Sequence, residues 1–279
     1  MLKRSPVGVA WFAVVLATAL DPRPGVLAGP AAPLTSPTAD ESKLVRLMNQ
    51  ERAAMRLPPL RWDTELAGLA RLHAADMRAT GTISHHSSAD GADFAARLAR
   101  TDYRASKAAE NVALDDSVDH AHRGLMNSPG HRRNILDEAL TAVGVGILRS
   151  KDGALYVVED FATRLPDLGD REATAKFRVA IARVRGQGRH GPLEEDRELS
   201  RSLEKSVRRL IDDDSVAARS EDGFASGWVL AYTTQDPSTL PQDAVSKIGK
   251  AQAYALALRF AKSRSYPFGV WWVVLALKQ

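Results

Sequence analysis

The chain has 279 residues, 44% of them hydrophobic and 26% charged, with 38 Lys+Arg against 34 Asp+Glu (formal charge +4) and no cysteine. These values allow a sizeable core in one large or two ordinary domains, and they exclude disulfides, thiolate metal sites and cysteine nucleophiles. Basic and acidic residues are mixed along the chain, which describes a solvated surface and no nucleic-acid-binding face.

At the N-terminus, Lys3 and Arg4 precede an uncharged, mostly apolar run from Val7 to Leu20. That run is shorter than the ~20 residues a membrane-spanning helix needs. Small-x-Ala exits follow at Ala17-Thr18-Ala19 and Val26-Leu27-Ala28. A basic start, a short apolar segment and such an exit describe a secretory signal peptide. Residues 1–28 are read as that signal and 29–37, rich in Pro, Ala and Gly, as a linker. The mature chain is then expected to be secreted or periplasmic, with no transmembrane segment.

Thr38 and Glu41 have capping-box spacing before a helix whose Leu44, Leu47, Met48 and Met55 share one face. Leu57-Pro58-Pro59-Leu60 stops it. Asp63 can cap a second helix carrying Leu66, Leu69, Ala70, His73 and Met77 as a stripe, ended by Gly81. A short third helix is expected over Asp93 to Leu98 and another over Val118 to Asn127, broken by Ser128-Pro129-Gly130. Two Val-rich runs, Ala142 to Leu148 and Leu155 to Ala162, read as strands joined by a turn at Asp152-Gly153. The expected class is α+β, with helices on both faces of a small antiparallel sheet.

Three polar clusters interrupt this pattern: Ile83-Ser84-His85-His86-Ser87, Glu110-Asn111-Val112-Ala113, and Asn127-Ser128-Pro129-Gly130-His131-Arg132-Arg133-Asn134. Two imidazoles and a carboxylate make a partial shell for a divalent cation such as zinc. They lie far apart in sequence, and spacing alone does not bring them together. His73 falls on the apolar stripe and reads as a hydrogen-bonded core residue, and His86 as exposed. His120 and His122, two apart on one helix, cannot face the same way, and both are expected in solvent. Ser128 beside His131 is ordinary Pro-Gly turn chemistry and not a nucleophile.

In order, the chain carries Leu47-Met48-Asn49, Arg52, His73-Ala74-x-Asp76-Met77, Ser84-His85 and Glu110-Asn111-Val112-Ala113. Asn127-Ser128-Pro129-Gly130-His131-Arg132-x-Asn134-Ile135-Leu136 and Val143-Gly144-Val145-Gly146 complete the series. Residues 38–163 thereby resemble the bacterial, SCP-like branch of the CAP (cysteine-rich secretory protein) superfamily. The resemblance implies a three-layer α-β-α sandwich with a cleft formed by His85, Glu110 and His131. It implies His85 and His131 as candidate metal ligands, and Glu110 as a catalytic candidate that, like a histidine, could act as general base on water. The second acid of the animal branch is missing, because Leu125-Met126-Asn127-Ser128 holds no carboxylate.

The expected function is ligand binding or interaction at the cell envelope or outside the cell, with a small molecule, lipid or cell-wall component as ligand. The alternative is a metal-assisted hydrolase or protease acting on peptide or cell-wall material. After a linker at 164–170, residues 171–279 read as a degenerate second copy. Pro59-Leu60-x-x-Asp63-x-Glu65-Leu66 matches Pro192-Leu193-x-x-Asp196-x-Glu198-Leu199 without gaps, and Arg52 falls near Arg185. That reading pairs 63–77 with 196–210 and 154–162 with 269–277, and places Ala218 opposite His85.

Overall fold

Capping residues fix where the helices begin. The computed structural model describes residues 36–216 and 227–279, so the signal peptide, most of the first linker and Ala218 lie outside the described residues. Helix α1 (Ala39–Ala54) opens on the reciprocal Thr38–Glu41 capping box. Leu44 and Met48 are buried on it, whereas Met55 is the C-cap residue and 57% exposed, off the expected face. After strand β1 (Arg61–Trp62), α2 (Thr64–Thr80) is capped by the Asp63 carboxylate and ends at Gly81, which takes φ 69°. Asp93 caps α3 (Phe94–Ala99).

Strand β2 (Ala105–Asp115) and helix α4 (Val118–Asn127) follow. The Ser-Pro-Gly sequence ends α4, yet Pro129 at once starts a further helix, α5 (Pro129–Ile135). Proline suits a first turn because its missing N–H has no partner there. Strands β3 (Ala142–Arg149) and β4 (Leu155–Arg164) complete a sheet of order β1-β3-β4-β2. The sheet is mixed and not purely antiparallel, since β1 runs parallel to β3. Helices α1, α4 and α5 pack on the face of Val145, Val157 and Phe161, and α2 and α3 on the opposite face.

Helix α2 lies directly on β3 because two glycines allow it. A Cβ on Gly144 would stand 2.0 Å from the Ala67 nitrogen, and one on Gly146 would stand 2.3 Å from the Ala70 carbonyl carbon. Gly144→Ala must therefore displace helix backbone, and we expect it to lower unfolding free energy by about 2 kcal/mol in chemical denaturation.

The second half repeats this topology. Helix α6 (Asp170–Gln187), strand β5 (Glu194–Glu195), helix α7 (Arg197–Asp212), strand β6 (Gly227–Thr234), helix α8 (Gln242–Ile248) and strands β7 (Ala253–Ala261) and β8 (Val270–Lys278) appear in that order. Their sheet runs β5-β7-β8-β6, with β5 parallel to β7 and the other pairs antiparallel. Arg52 and Arg185 do the same work in each half. Arg52 donates to the carbonyls of Pro58, Ile135, Asp137 and Leu140, and Arg185 to those of Gly191, Ile248, Gly249 and Ala251.

The register of the last strand differs by one residue from the sequence reading. Ala142 pairs with Ala162, and its counterpart Ala253 pairs with Lys278. Leu155, Val157 and Phe161 thus correspond to Trp271, Val273 and Leu277, which face α6 and α8. A one-residue slip would turn each side chain to the wrong face.

The described residues, 36–216 and 227–279, belong to one compact unit. The halves meet where Arg104 lies 4.0 Å from the Phe260 ring centroid and Lys262 Nζ donates to the carbonyls of Ala99 and Thr101. Among the described residues no helix is long and apolar enough to cross a membrane.

Candidate functional site

The loop after α2 is pinned by groups beneath it. His73 is buried, and its Nε2 donates to the Ser84 carbonyl at 2.7 Å. Asp76 accepts from the Ser88 amide at 2.8 Å, and Arg97 on α3 donates to the carbonyls of His85 and Ala92, both at 3.0 Å. This presents His85 at the open edge of the sheet, where β2 is the last strand. Its Nδ1 donates to Glu110 Oε1 at 2.9 Å. The His131 ring, from the first turn of α5, lies 6.3 Å from the His85 ring, centroid to centroid. The structure therefore brings His85, Glu110 and His131 together.

Helix α5 is held in place by the neighbouring asparagine. Asn111, fully buried, donates to the His131 carbonyl at 3.2 Å and to Glu159 Oε2 at 2.9 Å. Asn134 donates to Asn111 Oδ1 at 2.9 Å and to the Glu110 carbonyl at 3.3 Å. The Glu-Asn pair on β2 thus points one side chain to each face of the sheet.

Three groups join the site that sequence reasoning missed. Arg97 Nη2 forms an ion pair with Glu110 Oε2. Asp160 lies opposite Glu110 in the β2–β4 register and Glu159 opposite Asn111, both 0% exposed. Burial, and then the Glu110 carboxylate, raise the Asp160 pKa well above the usual range, and both its carboxyl oxygens are buried with no hydrogen-bond partner among the described residues. Burial also pushes Glu159 up to about 7. A sequence signal for both existed: adjacent acids within Val157-Val158-Glu159-Asp160-Phe161, a run otherwise suited to a buried strand. For Arg97 there was none.

The two imidazoles differ electrostatically. The hydrogen bond to Glu110 raises the His85 pKa against its partial burial, whereas burial and then the nearby His85 lower that of His131. Burial, followed by Arg97, lowers His73. His86 is exposed, as is His120, whose Nδ1 is 2.7 Å from Asp116. His122, expected in solvent, is instead 5% exposed, because it shares the inward face of α4 with Val118 and Leu125.

For a divalent cation the free donors are the His85 Nε2 and the His131 ring. Both Glu110 oxygens are engaged, so the carboxylate orients His85, as carboxylates commonly do behind histidine ligands. Two imidazoles whose centroids stand 6.3 Å apart offer two protein ligands, short of the four of a structural zinc site. Among the described residues, the trio of donors mutually within 4.8 Å is Asp115, Asp116 and His120, not the cleft residues.

Residues 45–161 match the family described as CAP, the cysteine-rich secretory protein family, and this segment is a domain of that family. The chain is 35% identical over 117 residues to the uncharacterized protein YkwD of Bacillus subtilis (strain 168), covering 42% of this chain and 45% of that one. It is 33% identical over 129 residues to the uncharacterized membrane protein YlbC of the same organism, covering 46% and 35%. The match spans less than half the length of either curated relative. Among solved structures, an extracellular SCP-domain protein of Bacillus anthracis str. Ames is 32% identical over 44% of this chain and 40% of that one, with a TM-score of 0.40.

Proposed function

We propose that residues 38–163 form a ligand-binding domain that works outside the cytoplasm, at the cell envelope or secreted. The ligand would be a small molecule, a lipid or a cell-wall component, gripped at the groove of His85, Glu110 and His131. One observation carries this reading. By strand register, Glu110, Asn111, Glu159 and Asp160 stand where the second half has Val229, Leu230, Leu275 and Ala276. An apolar version of this sheet is therefore compatible with the fold, and since buried carboxyl oxygens without partners cost stability, their presence favours a role beyond folding. We infer that residues 171–279 are a duplicated copy that has lost the cleft and acts as a scaffold or partner surface.

A divalent cation in the groove would be held by His85 and His131, with Glu110 orienting the first; it would supply a Lewis-acidic centre for the ligand. Calorimetric titration of metal-stripped protein with Zn2+ tests this. Saturable binding should disappear in His85→Ala and in His131→Ala, and weaken about tenfold in Glu110→Gln. Equal binding by all four proteins would remove the cation from the reading. The hydrolase alternative draws on the His85–Glu110 pair, a histidine base oriented by a carboxylate. It requires turnover of peptide or wall fragments that His85→Ala abolishes; titration without turnover supports binding alone.

A further inference from the structure

The two halves diverge at a second place, away from the cleft. In the first half the space between α1, α2 and β1 is closed by Arg71, which reaches Glu41 (Nε to Oε1 2.8 Å) and lies 5.6 Å from the Trp62 ring centroid. Glu41 is 1% exposed there. Aligned on the arginine pair and the Asp63 and Asp196 caps, the second half has Glu204 for Arg71, Thr174 for Glu41 and Glu195 for Trp62. Ala255 and Ala257 replace the two glycines that let α2 settle on its strand.

What results is a cleft of about 340 Å³ between α6, α7 and β7. Its floor is apolar, with Val207 and Leu256, and five arginines line it against three acids. Arg178 is paired with Glu195 at 2.9 Å. Arg171, Arg197, Arg201 and Arg259 are solvent-exposed and make no hydrogen bond or ion pair among the described residues. Arg171 and Arg197 also stand in the first turns of α6 and α7, where the helix dipole makes a cation unfavourable. With five guanidinium groups against three carboxylates, the lining carries an excess of positive charge that would attract an anion.

We propose that this cleft is a binding site for a phosphate ester. Guanidinium groups present paired donors that match phosphate oxygens, and the cleft has room for more than the phosphate itself. The phosphate could belong to a soluble ester or to a lipid headgroup, and the chemistry is the same. The site is independent of the histidine groove and stands whether or not that groove binds a cation.

The test uses the full chain at low salt, titrated with glycerol 3-phosphate and, separately, with vesicles of phosphatidylglycerol or of phosphatidylcholine. Saturable binding of glycerol 3-phosphate should weaken about tenfold or more in Arg197→Gln/Arg201→Gln and persist in Arg208→Gln, a change on α7 outside the cleft. The double variant should melt no lower than the parent without phosphate, which separates lost binding from lost folding. Binding to phosphatidylglycerol vesicles alone, lost in the same variant, would assign the phosphate to a headgroup. The proposal is overturned if neither probe binds, or if Arg208→Gln weakens binding as much as the double change.

Discussion

Arg52→Met should lower the unfolding free energy by about 4 kcal/mol and loosen the helix that carries His131. Arg52 is 0% exposed and its guanidinium donates four hydrogen bonds to main-chain carbonyls. Three of those carbonyls, of Ile135, Asp137 and Leu140, lie at and just beyond the C-terminal end of α5. Helix ends leave carbonyls without intrahelical donors, and here a single cation serves them from α1. Methionine fills much of the same volume but donates nothing, so at least two buried carbonyls lose their partners. Chemical denaturation reads the loss of stability, and amide exchange over residues 129–136 reads the loosening. A variant within about 1 kcal/mol of the parent would mean that water replaces the guanidinium at little cost. Arg185→Met, at the same place on α6, should loosen the end of α8 in the same way.

The paired role of these arginines was partly legible in the sequence, because Arg52 and Arg185 stand at matching distances before Asp63 and Asp196. Capping residues were legible too: Thr38 and Asp63 start helices, and Gly81 ends one. Such signals are local, so they survive without knowledge of the fold. Strand β2 was not legible as a strand. Its Ala-Ser-Lys-Ala-Ala-Glu-Asn sequence has little β propensity, and it is held extended by ten residue pairings with β4. Helix α5 was missed because Ser-Pro-Gly was weighed as a stop, when proline serves equally as a first helical residue. The error at His122 came from sound geometry wrongly completed: His120 and His122 do face apart, and so one of them had to face inward.

Of the cleft, the family motif yielded the three outward groups, His85, Glu110 and His131. The groups behind them depend on which strands become neighbours. Asp160 meets Glu110 only because β4 lies beside β2, and Arg97 meets it only because α3 packs across the same edge. Chain order does not reveal either adjacency. The outcome changes the chemistry expected of Glu110. With His85 and Arg97 on its two oxygens, it is a fixed acceptor that organises its neighbours and is poorly placed to activate water.

Beneath the cleft, Glu159 should make the protein less stable as pH rises, and Glu159→Gln should remove that dependence. Burial raises the Glu159 carboxyl to about 7 from 4.5, with the Asn111 hydrogen bond opposing the shift. Below pH 4.5 the acid is protonated in both folded and unfolded chains and contributes no difference. Between 4.5 and 7 the unfolded chain releases the proton while the folded chain keeps it, so the unfolded state gains and stability falls. Above 7 the loss is complete, at about 3 kcal/mol. Asp160, also raised, acts in the same direction. Glutamine stays neutral and can still accept from Asn111, so the variant should match the parent near pH 4 and exceed its stability by about 3 kcal/mol at pH 8. Comparing the two proteins across pH cancels the histidines, whose lowered values push the other way. Parallel stability curves would show that Glu159 titrates alike in both states, and the argument that this sheet bears a cost to support its cleft would lose the contribution of Glu159.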